Sequence, residues 1–137
     1  MASELKVDKF TGVTTAGSIL VTGEGNSTTT NLQQGLAKIW FRITGVSTAS
    51  LDDSLNVSSF NDEGTGNYKV TYTNNMNNIT YSYSNGVGWD VGGTNSTYNG
   101  TDKDEILTST LEIYHVNASD SVTDANLSMG SIHGDLA

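Results

Sequence analysis

The 137-residue chain contains no cysteine and no proline. The absence of cysteine excludes disulfide bridges and thiolate metal sites, so the chain can fold in a reducing cytoplasm. Basic residues are also few, because six Lys and Arg stand against fifteen Asp and Glu, giving a net charge of −9. Nucleic acid and anionic membrane surfaces are bound by clustered positive charge, so we expect neither as a partner.

Long apolar segments are missing as well. No run of apolar residues approaches the ~18 needed for a membrane-spanning helix. The first residues, Met1 to Lys6, lack the apolar core of a secretion signal. We therefore expect neither membrane insertion nor classical secretion.

Thr, Ser, Gly and Asn are abundant, with 19, 16, 15 and 14 copies. Thr is β-branched and suits a pleated surface, whereas Gly and Asn accept the positive φ angles of tight turns. Hydrophobic residues make up 35% and charged residues 15%, below the usual ~45–50% and ~25%. This composition predicts short strands around a thin core, supported by self-association.

Apolar residues alternate with period two along much of the chain, which predicts β-strands. The segment from Leu36 to Ile43 has apolar side chains on both faces, so it is predicted to be central or to lie at an interface. Residues 31–35 form either one helical turn capped by Asn31 or a loop. Residues 61–67 are predicted as a turn-rich loop, and residues 85–102 as a long exposed loop or hairpin. The predicted strands cover residues 5–10, 18–22, 36–43, 55–60, 67–73, 79–84, 107–116 and 127–133.

These strands, spaced by about ten residues, predict an all-β fold, an antiparallel β-sandwich or jelly-roll-like domain, over residues 31–137. Residues 1–30 are predicted to be an extended N-terminal arm. An arm of this size buries too little apolar surface to fold alone, so we expect it to dock on a partner. The predicted assembly residues of the arm are Leu5, Val7, Phe10, Ile19 and Val21.

Groups that could carry catalysis are sparse. The two histidines, His115 and His133, lie in predicted strands, and a catalytic role would require a nearby carboxylate or nucleophile. We interpret both as structural histidines. The adjacent Asp52 and Asp53 would point to opposite faces of a strand. No catalytic residues and no cofactor are therefore predicted, and the chain is interpreted as a non-enzyme.

Two acidic clusters could hold calcium through loop oxygens. Asp102, Asp104 and Glu105 form the stronger candidate, and residues 61–64 a fainter one. The alternative, which we favour, is that these are solvated loop acids, so no metal site is predicted.

The loop over residues 85–102 is the predicted site of outward contact, through Trp89, Asp90 and Tyr98. Exposed aromatic rings can stack on sugar rings while Asn, Asp and Thr hold the hydroxyls. The alternative is that Trp89 anchors the loop and that Tyr81 and Tyr83 cover the sheet.

Several segments, taken in their order along the chain, carry a resemblance to known proteins. They are Leu5-Lys6-Val7-Asp8, Thr11-Gly12-Val13-Thr14-Thr15-Ala16-Gly17-Ser18-Ile19, Gly23 to Lys38, Leu36-Ala37-Lys38-Ile39-Trp40, Asp53-Ser54-Leu55-Asn56-Val57-Ser58-Ser59, Asp62 to Met76 and Ile132-His133-Gly134-Asp135. These segments resemble tail-fibre-like and other virion appendage proteins of marine phages, including short-tailed cyanophages. The resemblance spans most of the chain and departs from the family pattern at Ile39, at Leu55 and within residues 85–102.

The resemblance implies a virion structural protein that assembles in the host cytoplasm. A tail-fibre, knob or spike-like appendage subunit is the first expectation, and a capsid decoration, cement or tail-connecting protein is the alternative. A free carbohydrate-binding module is a third hypothesis. The implied partners are other virion proteins (capsid, portal or tail), further copies of the chain in a homotrimer, and a glycan or receptor on the host surface.

Overall fold

A computed structural model describes residues 4–13, 19–23, 25, 27–88 and 97–137, with the backbone alone for residues 97–99. The chain forms two compact units, Met1–Leu36 and Ala37–Ala137. Apart from one four-residue α-helix and one 3-10 turn, the described elements are all strands, so the protein is all-β. The elements are β1 (Leu20–Thr22), β2 (Thr29–Asn31), α1 (Leu32–Gly35), β3 (Ile39–Thr44), β4 (Ser50–Leu55), β5 (Val57–Gly64), β6 (Asn67–Tyr72), β7 (Ser82–Gly88), β8 (Thr97–Gly100), a 3-10 turn (Lys103–Glu105), β9 (Thr110–Asn117) and β10 (Leu127–His133).

The second unit is a sandwich of two four-stranded antiparallel sheets. Sheet 1 has the strand order β4-β3-β10-β7, and sheet 2 has the order β5-β6-β9-β8. The predicted all-β sandwich is confirmed. The prediction that the Leu36–Ile43 segment is central is also confirmed, since β3 is an inner strand of sheet 1.

The hydrophobic core lies between the two sheets and follows the alternation of the sequence. Sheet 2 contributes Tyr68, Val70 and Tyr72 from β6, the face that the sequence predicts to be shared. Full burial of such side chains stabilises the fold by ~1.5–3 kcal/mol each. The remaining buried hydrophobic members are Ile39, Phe41, Ile43, Met76, Leu111, Ile113 and Ile132.

The single strand predicted over residues 55–60 is divided between two strands, because the chain changes sheet within it. Asn56 has φ 59°, a left-handed conformation that ends a strand and that Asn tolerates better than most residues. Leu55 therefore closes β4 in sheet 1, and Val57 opens β5 in sheet 2. The hydrophobic alternation continues across this break, which is why period two alone does not reveal it.

Two predicted loops contain strands. β5 continues to Gly64, so most of the loop predicted at 61–67 belongs to a hairpin with β6. Its turn includes Gly66 at φ 65°, where a Cβ would lie 2.6 Å from the carbonyl oxygen of Thr123. The loop predicted at 85–102 is likewise shortened, because β7 runs to Gly88 and β8 occupies Thr97–Gly100. Residues 89–96 lie outside the described residues.

The strands predicted at 67–73 and 127–133 are confirmed as β6 and β10. Two others are shifted along the chain, since β7 begins at Ser82 and β9 at Thr110. The hydroxyl of Tyr81, just before β7, donates to the carbonyl of Leu107, just before β9, at 3.0 Å. Tyr81 and Leu107 are thus joined by a side-chain hydrogen bond, although neither residue belongs to a strand.

The first unit contains a hairpin and one helical turn. β1 pairs with β2 in an antiparallel register, with Leu20 opposite Asn31. Asn31 caps α1, since its Oδ1 accepts from the backbone N–H groups of Gln33 at 2.8 Å and Gln34 at 3.2 Å. Of the two alternatives for residues 31–35, the structure has the helical turn, and α1 belongs to the first unit.

Candidate functional site

The first part of the N-terminal unit is open to solvent and has no regular secondary structure. Residues 4–13 form no helix or strand and bend at Asp8, so the strand predicted over residues 5–10 is wrong. Leu5 is 74%, Val7 47% and Phe10 61% exposed. A strand requires a partner for its backbone groups, which explains why alternation alone does not make this segment a strand.

The hairpin of the N-terminal unit presents further apolar side chains. Leu20 and Val21 are exposed, and Ile19 is half-buried. The carbonyl of Ile19 accepts from the backbone N–H of Leu32 at 2.9 Å, which ties the hairpin to the start of α1. Of the five predicted assembly residues, four are therefore exposed, and Leu20 is an exposed neighbour that the sequence analysis did not single out.

The predicted outward contact is only partly described. Trp89 and Asp90 lie outside the described residues. Tyr98 lies in β8, where the backbone register pairs it with Val116 of β9. The undescribed segment runs from the end of β7 in sheet 1 to the start of β8 in sheet 2.

The outer face of sheet 1 carries exposed apolar side chains. Trp40 of β3 pairs with Leu55 of β4, and the two are 37% and 46% exposed. Met129 of β10, 40% exposed, lies opposite Arg42 on one side and Gly86 on the other. A shallow cavity of about 350 Å³ opens beside Met129, and it is lined by Ser84, Asn85, Gly86, Met129, Gly130 and Ser131.

Asp52 and Asp53 do not follow simple alternation. The register between β3 and β4 shifts between Arg42 and Ile43, which leaves Asp52 as the extra residue of a β-bulge. Its carboxylate accepts from Arg42 Nε at 3.3 Å and from Thr44 Oγ1 at 3.0 Å, while Asp53 pairs with Arg42 across the ladder. Asp52 and Asp53 thus both lie beside Arg42, on one face of the sheet, and the prediction that they point to opposite faces is wrong.

The outer face of sheet 2 contains a carboxylate, that of Glu112, with three side-chain partners. Glu112, 7% exposed, accepts from the Tyr114 hydroxyl at 2.6 Å and from Asn67 Nδ2 at 2.8 Å, and its other oxygen lies 2.9 Å from Lys69 Nζ. The hydrogen bond from Tyr114 and then that from Lys69 lower the pKa of Glu112 to about 2. The same partnership raises the pKa of Lys69. Glu112 is therefore ionised at neutral pH, and its three contacts link β6 and β9 on the sheet surface.

A second shallow cavity of about 420 Å³ adjoins this network. It is lined by Gly100, Thr101, Asp102 and Tyr114, beside the end of β8. An aromatic ring, a hydroxyl and a carboxylate are groups that can contact a sugar. The cavity lies at the same edge of sheet 2 as the strand that carries Tyr98.

His115 lies in the core and not at a surface. It is fully buried, with Nε2 3.1 Å from the hydroxyl of Ser128, itself fully buried, and Nδ1 has no hydrogen-bond partner among the described residues. Burial lowers the pKa of His115 to about 4, so the ring is neutral at physiological pH. This His–Ser pair has no solvent-exposed surface through which a substrate could reach it.

The acidic loop residues form local hydrogen bonds and one ion pair with the sheet. Asp102 Oδ1 accepts from the backbone N–H of Asp104 at 3.0 Å and caps the 3-10 turn, and Glu105 pairs with Lys69 at 3.5 Å. In the other cluster, Asp62 accepts from the backbone N–H of Gly64 at 3.1 Å. Within the described part of the chain, no three His, Asp or Glu side chains converge as metal ligands would.

Comparisons with known proteins return no matching family model, no similar curated protein and no similar solved structure. No helix within the described ranges has both the length and the apolar character required to cross a membrane. The sandwich and the exposed N-terminal unit are therefore the features on which a functional proposal rests.

Proposed function

We propose that this chain is a structural protein of a phage virion, a tail-fibre, knob or spike-like appendage subunit that attaches to the particle through its N-terminal unit. The observation that carries the proposal is the exposure of the apolar side chains of that unit. Leu5, Phe10, Leu20 and Val21 are all more than half exposed. Several large apolar side chains that face water within one small unit are typical of a surface that a partner covers.

The sandwich supports the same proposal. Its core is closed between two sheets, and its one fully buried histidine is held neutral against Ser128. Such a domain offers a rigid body with loops at its ends. The segmental resemblance to virion appendage proteins supports a place for this rigid body on a particle surface, with a structural role and with assembly in the host cytoplasm. Capsid, portal and tail proteins are the candidate attachment partners, and a homotrimer is the proposed oligomer.

Host contact is proposed at the end of the sandwich near β8. Tyr98 lies in that strand, Trp89 and Asp90 precede it in the chain, and the cavity beside Tyr114 supplies groups suited to a glycan. The Tyr114 ring, the Thr101 hydroxyl and the Asp102 carboxylate would contact a sugar ring there.

Attachment is tested by quantitative mass spectrometry of purified particles. The double variant Leu20→Ser/Val21→Ser should reduce the copies of this protein per virion by at least about tenfold, because two exposed apolar anchors are lost. The matched control is Leu107→Ser/Val122→Ser, which changes two exposed apolar side chains of the sandwich and should leave the copy number unchanged. Full incorporation of the first variant would contradict the attachment role of the hairpin.

The copy number of the unaltered protein separates the appendage from its alternative. A few copies at the tail or at the vertices indicate an appendage, whereas many copies across the capsid shell indicate a decoration or cement protein. Absence from purified particles would refute the virion proposal altogether.

The host contact is tested by phage adsorption and by glycan-array binding. Trp89→Ala should reduce adsorption, and Trp40→Ala serves as a control on the outer face of sheet 1. Glycan binding by the purified chain, without any presence in virions, would favour a free carbohydrate-binding module. Unchanged adsorption with Trp89→Ala would remove the contact from this segment.

A further inference from the structure

The sandwich has four edge strands, and three of them carry features that discourage pairing with another chain. β4 contains Asp52 and Asp53 and a bulge, and β5 contains Asp62 and Glu63 and two register irregularities. β8 has only four residues. Charges, bulges and short length are the usual means by which proteins protect sheet edges.

The fourth edge, β7, lacks these features. It has seven residues, none of them charged, and it pairs with β10 in an unbroken register from Ser82 to Gly88. No strand in the described part of the chain pairs with its other side. A long, regular and uncharged edge of this kind is a template for an added strand.

The N-terminal segment has the properties of the strand that this edge would accept. Residues 4–10 have the same length as β7, and Leu5, Val7 and Phe10 are exposed. Lys6 Nζ lies 3.3 Å from a carboxylate oxygen of Glu4. Side chains two residues apart meet in this way on one face of an extended chain. Leu5 and Val7 consequently share the opposite face.

The outer surface beside β7 leaves space for such side chains. Gly86 has no side chain, and the cavity of about 350 Å³ extends from it over Met129 and Ser131. Leu5 and Val7 of an added strand would cover Met129 and fill this cavity.

Charge identifies a second copy as a suitable source of the strand. Residues 37–137 contain four basic and twelve acidic residues, a net charge of −8, so two sandwiches repel each other. Residues 4–10 contain two basic residues, Lys6 and Lys9, and two acidic residues, Glu4 and Asp8, so this segment is neutral. A neutral strand adds nothing to that repulsion when it lies on the β7 edge of another copy.

We propose that residues 4–10 of one copy add as a strand to the β7 edge of a second copy, with Leu5 and Val7 over Gly86 and Met129. Each copy then gives one strand and receives one, a heterologous contact that forms a ring where the rotation between copies closes. The proposal deepens the proposed function, because it separates the N-terminal unit into a segment for neighbouring copies and a hairpin for the particle. It is nevertheless tested on the purified chain, so either can fail alone.

Analytical ultracentrifugation of the full-length chain over a range of concentrations provides the test. The unaltered chain should associate, and Gly86→Lys should weaken the association constant by at least about tenfold by filling the cavity with a charged side chain. A Cβ at Gly86 meets only Met129 Cε at 3.7 Å, so the fold accepts this substitution. The matched control is Gly100→Lys on the β8 edge, where a Cβ meets nothing within 4 Å, and it should change the constant less than twofold.

The donor segment is tested in the same assay. Leu5→Ser/Val7→Ser should weaken association as strongly as Gly86→Lys, whereas Lys6→Ser/Asp8→Ser, on the other face and neutral in net charge, should have little effect. Hydrogen exchange provides a second measurement, because backbone amides of β7 should lose protection in the Leu5→Ser/Val7→Ser variant while those of β4 do not.

Three results would overturn the proposal. The first is a full-length chain that stays monomeric at every concentration, including a monomer whose β7 amides are protected by its own N-terminal segment. The second is an oligomer that Gly86→Lys and Gly100→Lys affect equally. The third is an oligomer that survives Leu5→Ser/Val7→Ser unchanged. Association with loss in both test variants and retention in both controls supports it.

Discussion

Adding a single methyl group at Gly130 should destabilise the sandwich, because two aromatic rings occupy the space that a side chain would need. A Cβ at this position would lie 2.3 Å from Phe41 Cζ and 2.7 Å from Tyr83 Cε2. Carbon atoms normally approach to ~3.5–4.0 Å, so the rings must move by about 1 Å or more. Phe41 is 2% exposed and stacks on Tyr83 with 6.3 Å between ring centroids, which leaves little room to move.

The expected cost of Gly130→Ala is ~2–3 kcal/mol in the free energy of unfolding, the upper part of the ~1–3 kcal/mol typical of overpacked cores. In a domain of about this size, that loss corresponds to a melting temperature lower by roughly 10 °C. Chemical denaturation monitored by tryptophan fluorescence measures it directly. The double variant Gly130→Ala/Phe41→Leu should cost less than the sum of its single changes by about 1 kcal/mol, since the shorter side chain relieves the clash.

Gly86→Ala is the matched control, on the neighbouring strand but on the outer face of the sheet. Its Cβ would meet only Met129 Cε at 3.7 Å, so the variant should be neutral or more stable by up to ~1 kcal/mol, because the unfolded chain loses freedom. If Gly130→Ala stays within ~0.5 kcal/mol of the unaltered protein, the packing argument is refuted. A destabilised Gly130→Ala without coupling to Phe41 would refute the assignment of the clash to that ring.

Two further predictions concern pH and backbone conformation. Burial lowers the pKa of His115 from 6.5 to about 4, so its contribution is complete above pH 6.5 and falls as the pH drops from 6.5 towards 4. The unfolded chain takes up the proton first, and the free energy of unfolding should therefore fall by ~1.4 kcal/mol between pH 7.5 and 5.5. This slope should vanish in His115→Gln, and a slope unchanged by that substitution would show that another group titrates. Asn56→Ala should cost ~2–3 kcal/mol, because it forces Ala into φ 59° and removes three hydrogen bonds to Asn74 of 2.8, 2.9 and 3.0 Å. Asn56→Gly should recover about 1 kcal/mol of that loss by relieving the backbone, and equal stability of the two variants would contradict the conformational part of the argument.

The local pattern of the sequence determined the class of fold and the faces of its inner strands. Abundant Thr, Asn and Gly and the period-two alternation predicted short strands in an all-β fold, as the structure has them. Asn31 was a recognisable cap because its side chain satisfies backbone groups within three residues of itself. These features depend on neighbours along the chain, so the sequence was sufficient for them.

The tertiary structure decided where strands end and which sheet they join. The break at Asn56, the bulge at Asp52 and the strand within the loop predicted at 85–102 all depend on partners that are distant in sequence. The candidate surfaces are of the same kind. The exposure of Leu5 and Val7 could be suspected from composition. That β7 is an edge strand without charges or bulges could not, because the strand order of each sheet decides which strands lie at its edges. Period two specifies the side of a sheet on which a residue lies, and it contains no information about which strand lies beside it.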